Sequence, residues 1–430
     1  MKDLHEMSSK ARRSFRLISV SGHEMRNQAL LRMADLLKQR SEAIFAANRE
    51  DQKRAENEGL AQPLLHRLKF GEEKLQQVCD GLLSLSALQD PIGRITLATE
   101  ITEGLNLYRV ICPIGVIGVI FESRPDALIQ IASLCIKSGN AVLLKGGREA
   151  VSTNRILTDI VRQALSDAQL PADAAQLLET REDVAAMLKE DELIDLIIPR
   201  GSNAFVRYIM DNSRIPVLGH SDGICHVYID RDADPAMAVR VAVDSKVQNV
   251  SVCNAAETLL IHEDAAQEIL PLIAHALREN HVEIRGDDAS AKIIDCIPAT
   301  DADWSTEYLD YVISVKIVHS LEEAIEHINH YGSHHTDCIV TDNDQAAEVF
   351  MKAVDSAGVY RNVSTRFADG FVYGFGAEVG IATGKLHARG PMGLDGLTTY
   401  KYELTGSGHI LAEMKSGARK YTHRSLPIPE

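Results

Sequence analysis

The chain reads as an α/β protein with parallel sheets in two Rossmann-like units, to which a thin antiparallel arm is added. Three observations predict this. Short apolar runs at 115–121 and 141–144 flank a helical stretch at 126–137, and strand, helix, strand at that spacing is a βαβ unit. A second alternation of strands and helices starts with the apolar run 224–229. Two segments, 94–112 and 398–410, alternate polar and apolar residues with few apolar anchors, which is the period of a strand with little core of its own.

Taken in order, residues 26–48 carry Ala29, Leu30, Met33, Leu36, Leu37 and Ile44 at helical spacing, and 72–88 repeat the texture. Asp90-Pro91-Ile92-Gly93 breaks it, and the Glu103-Gly104 turn makes 94–112 a hairpin. Beyond the βαβ unit, helices are expected at 153–168, 181–190 and 203–211, with a strand at 193–198. In the second unit 258–261 is a strand, and 265–278 and 321–329 are helices. The two thin β segments suggest an arm added to a neighbouring subunit.

Composition narrows the function. With 430 residues, 45% hydrophobic and 25% charged, the chain can fill two or three ordinary cores. A formal net charge of -16 argues against a nucleic-acid partner, which needs clustered Lys and Arg. No apolar run reaches the length of a membrane span, and residues 1–16 lack an apolar signal core. The seven cysteines are irregularly spaced, which suits a reducing cytoplasm better than a disulfide framework.

One cysteine stands apart. Cys253, in Ser251-Val252-Cys253-Asn254-Ala255-Ala256-Glu257-Thr258, sits among polar neighbours between a helical segment and a short apolar strand. A loop there can present a thiol to a cleft, and a thiolate forms acyl adducts that exchange a hydride with a nicotinamide. The alternative is a small buried residue, common for free cysteine. Asn254 and Glu257 have capping-box spacing, which would put the thiol at a helix N-terminus, but Thr258-Leu259-Leu260-Ile261 reads as a strand. Cys225 and Cys135 have apolar surroundings and read as structural. Cys79, Cys112, Cys296 and Cys338 lack paired zinc spacing, and the run His327, His330, His334, His335 lacks a completing ligand, so no metal is expected.

Lys145-Gly146-Gly147-Arg148 follows directly on a predicted strand, and Pro199-Arg200-Gly201-Ser202 follows the next. Glycine turns with a cation at the carboxyl ends of parallel strands are where nucleotides bind, although neither is a GxGxxG fingerprint. An ordinary strand-to-helix turn is the other reading.

From about residue 64 onward the sequence resembles the gamma-glutamyl phosphate reductase family of the aldehyde dehydrogenase superfamily. The resemblance rests on residues 112–125 (CPIGVIGVIFESRP), 137–141 (KSGNA), 252–260 (VCNAAETLL), 331–337 (YGSHHTD), 364–367 (STRF) and 387–393 (HARGPMG). It implies an aldehyde-dehydrogenase-like fold: an NADP-binding domain (1–93 and 113–222), a catalytic domain (223–396) and an oligomerisation β-arm (94–112 and 397–430). The implied activity is NADPH-dependent reduction of L-glutamyl 5-phosphate to L-glutamate 5-semialdehyde, with phosphate release through a thioacyl adduct on Cys253, in proline biosynthesis. A homo-oligomer, and pairing with the kinase that makes the substrate, come with it.

The resemblance makes Cys253 the nucleophile. For that mechanism Ser123, Arg124, Asn254 and Arg366 are the expected substrate and oxyanion contacts. The two glycine turns make Lys145, Gly146, Gly147, Arg148, Arg200, Gly201 and Ser202 the expected cofactor contacts, and the resemblance puts Lys145 on the adenosine ribose and Glu307 on the nicotinamide ribose. Arg148 stands where NAD-preferring relatives often have an acid, which suits the 2′-phosphate of NADP. Two departures stand out: Asn249-Val250 replaces the usual Arg-Pro, and Arg200-Gly201-Ser202 the usual Arg-Gly-Gly. The competing readings are a hydrolytic aldehyde dehydrogenase and an inactive scaffold. Hydrolytic relatives carry a general-base glutamate in a Glu-Leu-Gly-Gly segment, where this chain has Leu218-Gly219-His220-Ser221-Asp222-Gly223.

Overall fold

The computed structural model describes residues 2–122, 124–179, 182–220, 222–375 and 378–428. Ser123, expected at the substrate, lies outside the described residues.

Two all-parallel sheets carry the molecule. The first has four strands in the order Ala175–Leu178, Ala141–Lys145, Val116–Phe121, Leu196–Arg200. The chain starts at Val116–Phe121, winds outward through two strands, then returns to the other side with Leu196–Arg200. That reversal creates a crevice at the strands' carboxyl ends. The strands are buried on both faces, as their Val, Ile and Leu content requires.

The second sheet has seven strands in the order Ile297–Pro298, Glu283–Gly286, Val312–Val318, Ala256–His262, Cys225–Ile229, Thr336–Val340, Gly358–Arg361. Two apolar clusters cover its faces. One holds Ile269 and Ile273 of helix Glu263–Glu279; the other holds Ile325 and Ile328 of helix Leu321–Tyr331 and Phe350 of helix Asp344–Ala353.

The two thin segments join each other. Ile95–Thr102 and Leu105–Pro113 form the hairpin, and Thr398–Thr405 pairs antiparallel along its outer side. Arg424–Ser425 pairs on the opposite edge. The outer strand leaves Tyr400, Tyr402 and Leu404 more than half exposed. An exposed edge with aromatic side chains is a ready template for another chain.

Several expectations need correction. The stretch 26–48 is two helices, His23–Gln39 and Ser41–Asn57, broken at Arg40. No Gly or Pro marks the break; it lets both helices pack on helix Val151–Asp167, so tertiary packing overrides local propensity. The strand expected at 193–198 is Leu196–Arg200, and the helix expected at 181–190 shrinks to Glu182–Met187. The first helix, Lys2–Ile18, was unforeseen; it buries Leu4, Ala11 and Ile18 in the core of the four-stranded unit. The capping-box geometry for Asn254 and Glu257 fails, because strand Ala256–His262 follows the cysteine.

Candidate active site

Three neighbouring strands of the larger sheet, Ala256–His262, Cys225–Ile229 and Thr336–Val340, begin at one edge. The residues just before them converge there. Cys253 lies in a loop of turns started by Asn249, whose Oδ1 accepts the Ser251 N–H at 3.1 Å. The departure from Arg-Pro thus supplies a local Asx turn in place of a proline. Gly223 packs against the Cys253 backbone so closely that an added Cβ would lie 2.2 Å from its carbonyl oxygen. Only glycine fits that approach.

A buried ion pair fastens the loop at both ends. Lys246, from the preceding helix Pro235–Val247, donates to Glu257 Oε2 at 2.6 Å, and both side chains are fully buried. The Leu309 N–H reaches Glu257 Oε1 at 3.3 Å. Burial still pushes the Glu257 carboxyl upward, and Lys246 opposes that shift. Asn254 donates from Nδ2 to the Ala368 carbonyl at 2.9 Å and accepts nothing at its buried Oδ1. Its amide therefore ties two loops together.

The two cysteines at this edge differ. Cys253 is half-buried, whereas Cys225 is fully buried. Burial pushes the Cys225 thiol far up, and its Sγ donates to the Cys253 carbonyl at 3.3 Å. That arrangement keeps Cys225 a thiol and leaves Cys253 as the accessible sulfur.

Arg200 and Arg366 both lie within electrostatic reach of Cys253. Burial holds both guanidinium groups below their ordinary range. Arg366 donates from Nε to Gln248 Oε1 at 2.8 Å. Arg200 packs over Gly380, where an added Cβ would meet its Nη1 at 2.9 Å. Glu378 is the charge that most offsets that shift at Arg200. Arg124 is exposed and feels Arg200 and Arg67 as like charges. Carboxylates lie in both fields, Glu378 and Asp126 about Arg200 and Asp369 and Asp244 about Arg366, but two guanidinium groups within reach of one thiol suit an anionic substrate.

His220 completes the edge. Its Nδ1 faces the Ile381 carbonyl at 2.8 Å, and its ring meets that of His335 edge-on at 5.0 Å. Burial pushes the His220 imidazole down, so it is neutral near pH 7. One ring nitrogen each from His220 and His335 and the sulfur of Cys253 lie within 4.8 Å of one another.

The carboxyl ends of the four-stranded sheet supply the other expected residues. Lys145 is nearly buried, and its Nζ donates to the Gly146 carbonyl at 2.5 Å. Burial lowers its pKa, partly offset by Asp183, Glu149, Glu122 and Glu179. The Ser202 N–H donates to Glu122, whose carboxylate also abuts Gly201. Gly147 lies against the Glu149 carboxylate. Arg148 projects into solvent, 3.5 Å from Glu58. Glu307 accepts hydrogen bonds from the Asn203 amide and the Gly223 N–H. It thus links the first helix after the smaller sheet to the cysteine edge.

Arg200, expected beside the cofactor, also lies within electrostatic reach of Cys253, while Gly201 and Ser202 follow it at the crevice. Lys145, Gly146, Gly147 and Arg148 share one loop. The sequence missed Glu122 at the crevice and gave His335 only a turn position; nothing in linear spacing links residues 220, 253 and 335. A cavity of about 530 Å³ lies elsewhere, at the root of the arm, lined by Asp90, Arg94, His387, Arg389 and Asp395. It takes no part in the thiol site.

A half-buried cysteine at the edge of one parallel sheet, facing the switch point of another, defines the aldehyde dehydrogenase class. The profile of the aldehyde dehydrogenase family matches residues 1–293, and the chain belongs to that family. It is 56% identical to gamma-glutamyl phosphate reductase of Acetivibrio thermocellus over 423 residues, 98% of each chain. It is likewise 56% identical to that of Pelotomaculum thermopropionicum, over 99% of this chain and 98% of the other. The crystal structure of gamma-glutamyl phosphate reductase from Thermotoga maritima superposes with a TM-score of 0.93 at 38% identity, covering 95% of this chain and 99% of that one. Within the superfamily, the chain is a member of the gamma-glutamyl phosphate reductase family.

Proposed function

We propose that this chain reduces L-glutamyl 5-phosphate to L-glutamate 5-semialdehyde with release of phosphate, using NADPH, in the cytoplasm. The observation that carries the reading is Cys253, an accessible thiol flanked by Arg200 and Arg366. The names of its relatives give the substrate.

The Cys253 thiolate attacks the acyl carbon; the C–S bond forms as the C–O bond to phosphate breaks. Arg366 and Arg200 hold the leaving phosphate, which takes up the one proton the reaction consumes. NADPH, when bound, supplies the hydride that reduces the thioester carbon. The Cys253 backbone N–H steadies the oxyanion, and its collapse breaks the C–S bond, freeing aldehyde and thiolate. Lys145 and the glycines after it fit the cofactor's anionic groups, because Lys145 is a nearly buried cation that donates to its own loop at the Gly146 carbonyl. Arg148 would meet a 2′-phosphate. Ser202, Gly201 and Glu307 would border the crevice between the two sheets.

The arm supports self-association through the Thr398–Thr405 edge, and the lability of an acyl phosphate favours pairing with the kinase that makes it. No helix among the described residues is long and apolar enough to cross a membrane.

The test is the reverse reaction, glutamate semialdehyde with NADP, followed as NADPH formation with and without phosphate. We expect a phosphate requirement, and a loss of at least about 10⁴-fold in Cys253→Ala, the scale for removing a nucleophile. His220 can accept a proton from water, so a hydrolytic enzyme would make NADPH without phosphate; that result refutes the reading.

A further inference from the structure

We propose that His220, Cys253 and His335 form a binding site for a thiophilic divalent ion of the Zn²⁺ type, which reversibly locks the enzyme by capturing its nucleophile. The site is built by fold, not by spacing in the chain. Its three donor atoms come from the segment before Cys225–Ile229, the cysteine loop and the turn before Thr336–Val340, and they lie within 4.8 Å of one another.

Hydrogen bonds prepare both histidines as ligands. A carbonyl only accepts, so the Nδ1 of His220, 2.8 Å from the Ile381 oxygen, carries the hydrogen and its Nε2 keeps a lone pair. His335 is fully buried, with Nδ1 3.0 Å from Thr336 Oγ1 and 3.8 Å from Cys225 Sγ, and its Nε2 has no hydrogen-bond partner among the described residues; the tautomer in which Nδ1 donates to the Thr336 hydroxyl leaves the Nε2 lone pair for the ion. A buried nitrogen without a partner carries a desolvation cost that a ligated ion would remove. Imidazoles oriented from behind by a carbonyl or hydroxyl are the usual second layer of metal sites.

The donor set selects the ion. One thiolate and two imidazoles with no carboxylate favour Zn²⁺ and similar borderline-soft ions over Mg²⁺ or Ca²⁺. On binding, the Cys253 thiol gives its proton to solvent, three protein–metal bonds form, and a fourth position remains for water. No electron moves. The inhibitory consequence rests on Cys253 being the nucleophile; the site itself does not.

Co²⁺ titration of the full chain in a thiol-free buffer tests this directly. We expect a thiolate-to-metal absorption in the near ultraviolet together with the visible bands of a four-coordinate ion, both displaced by Zn²⁺. The absorption should vanish in Cys253→Ser. In His220→Ala the metal affinity should fall at least about tenfold, the scale seen when a metal's supporting groups are removed. His220 is the half-buried partner, so this variant is the safer probe should substitution of fully buried His335 prevent folding. Zn²⁺ should inhibit wild type with recovery on chelation, and each variant's sensitivity is scored against its own metal-free rate. Absence of the bands, their survival in Cys253→Ser, or unchanged affinity in His220→Ala overturns the proposal. None of these outcomes bears on the phosphate requirement, which tests the reductase reading separately.

Discussion

The two parallel sheets meet the cleft with opposite ends. The four-stranded sheet offers its carboxyl edge, where Lys145 ends its strand and Glu122 and Gly201 follow theirs. The seven-stranded sheet offers its amino edge, where Gly223, Cys253 and His335 precede theirs. Nucleotides favour a carboxyl edge because loops and helix N-termini open there. The amino edge has no such help. Its reactive group is held by a buried polar frame: the Lys246–Glu257 pair, Asn254 on Ala368, and His226 2.8 Å from Asp337. The contrast teaches that damage at the amino edge should cost folding, while damage at the carboxyl edge should cost cofactor affinity.

The largest effect is expected at Lys246 and Glu257. Replacing one member leaves a buried charge unpaired, which typically costs about 3–5 kcal/mol. Glu257→Leu should therefore lower the urea midpoint sharply, whereas the double change Lys246→Met with Glu257→Leu should recover most of the loss, since an apolar pair of similar volume avoids the desolvation of both charges. A double variant as unstable as the single one would show that the pair fastens the loop by more than charge.

The next effect is a pH dependence at the same edge's supporting layer. His327 is buried against Trp304 and Tyr331, near His226, His330 and Lys316. Burial first, and then the neighbouring His226, Lys316 and His330, push its imidazole down to about 2. Its folded pKa is thus below the unfolded one of roughly 6.5, so the unfolded state binds more protons between them. Stability from this residue is complete above about pH 6.5 and is lost as pH falls, by up to about 1.4 kcal/mol per pH unit. Urea unfolding at pH 7 and pH 5 should show the loss in wild type and a smaller one in His327→Gln. Equal losses in the two proteins would remove His327 as the cause.

Legibility in the sequence followed the same division. The carboxyl edge is written in consecutive residues: a strand of Val and Leu, then Lys145, two glycines and Arg148, readable because the ligand loop is local. Cys253 was visible through its polar neighbours, and the resemblance made that candidate the proposed nucleophile. The rest of the amino edge was not readable. His220, Cys253 and His335 are joined only by strand order, and Lys246 and Glu257 gain meaning only when both are buried. Asn254 and Glu257 even spelled a helix start, since capping-box spacing is a local signal and strand pairing with Cys225–Ile229 and Val312–Val318 overrode it. The break at Arg40 failed to show for the same reason: packing on a distant helix leaves no mark in local composition.

The smallest effect sharpens the comparison from the cofactor side. Arg148 is exposed and paired only loosely with Glu58, so its replacement should leave folding intact. Lys145, beside it in the chain, already stands among Glu122, Glu149, Glu179 and Asp183. A 2′-phosphate brought near those carboxylates depends on a compensating cation, and Arg148 is the candidate with the reach to supply it. Arg148→Glu should therefore lower kcat/KM for NADPH about fivefold, the ~1 kcal/mol of one exposed charge contact at its upper range, with NADH use unchanged and the melting temperature held within about a degree or two. Equal losses with both cofactors would mean that Arg148 serves the shared pyrophosphate. A loss of stability in its place would mean that the carboxyl edge, too, depends on its charges to fold, and the division between the two edges would not hold.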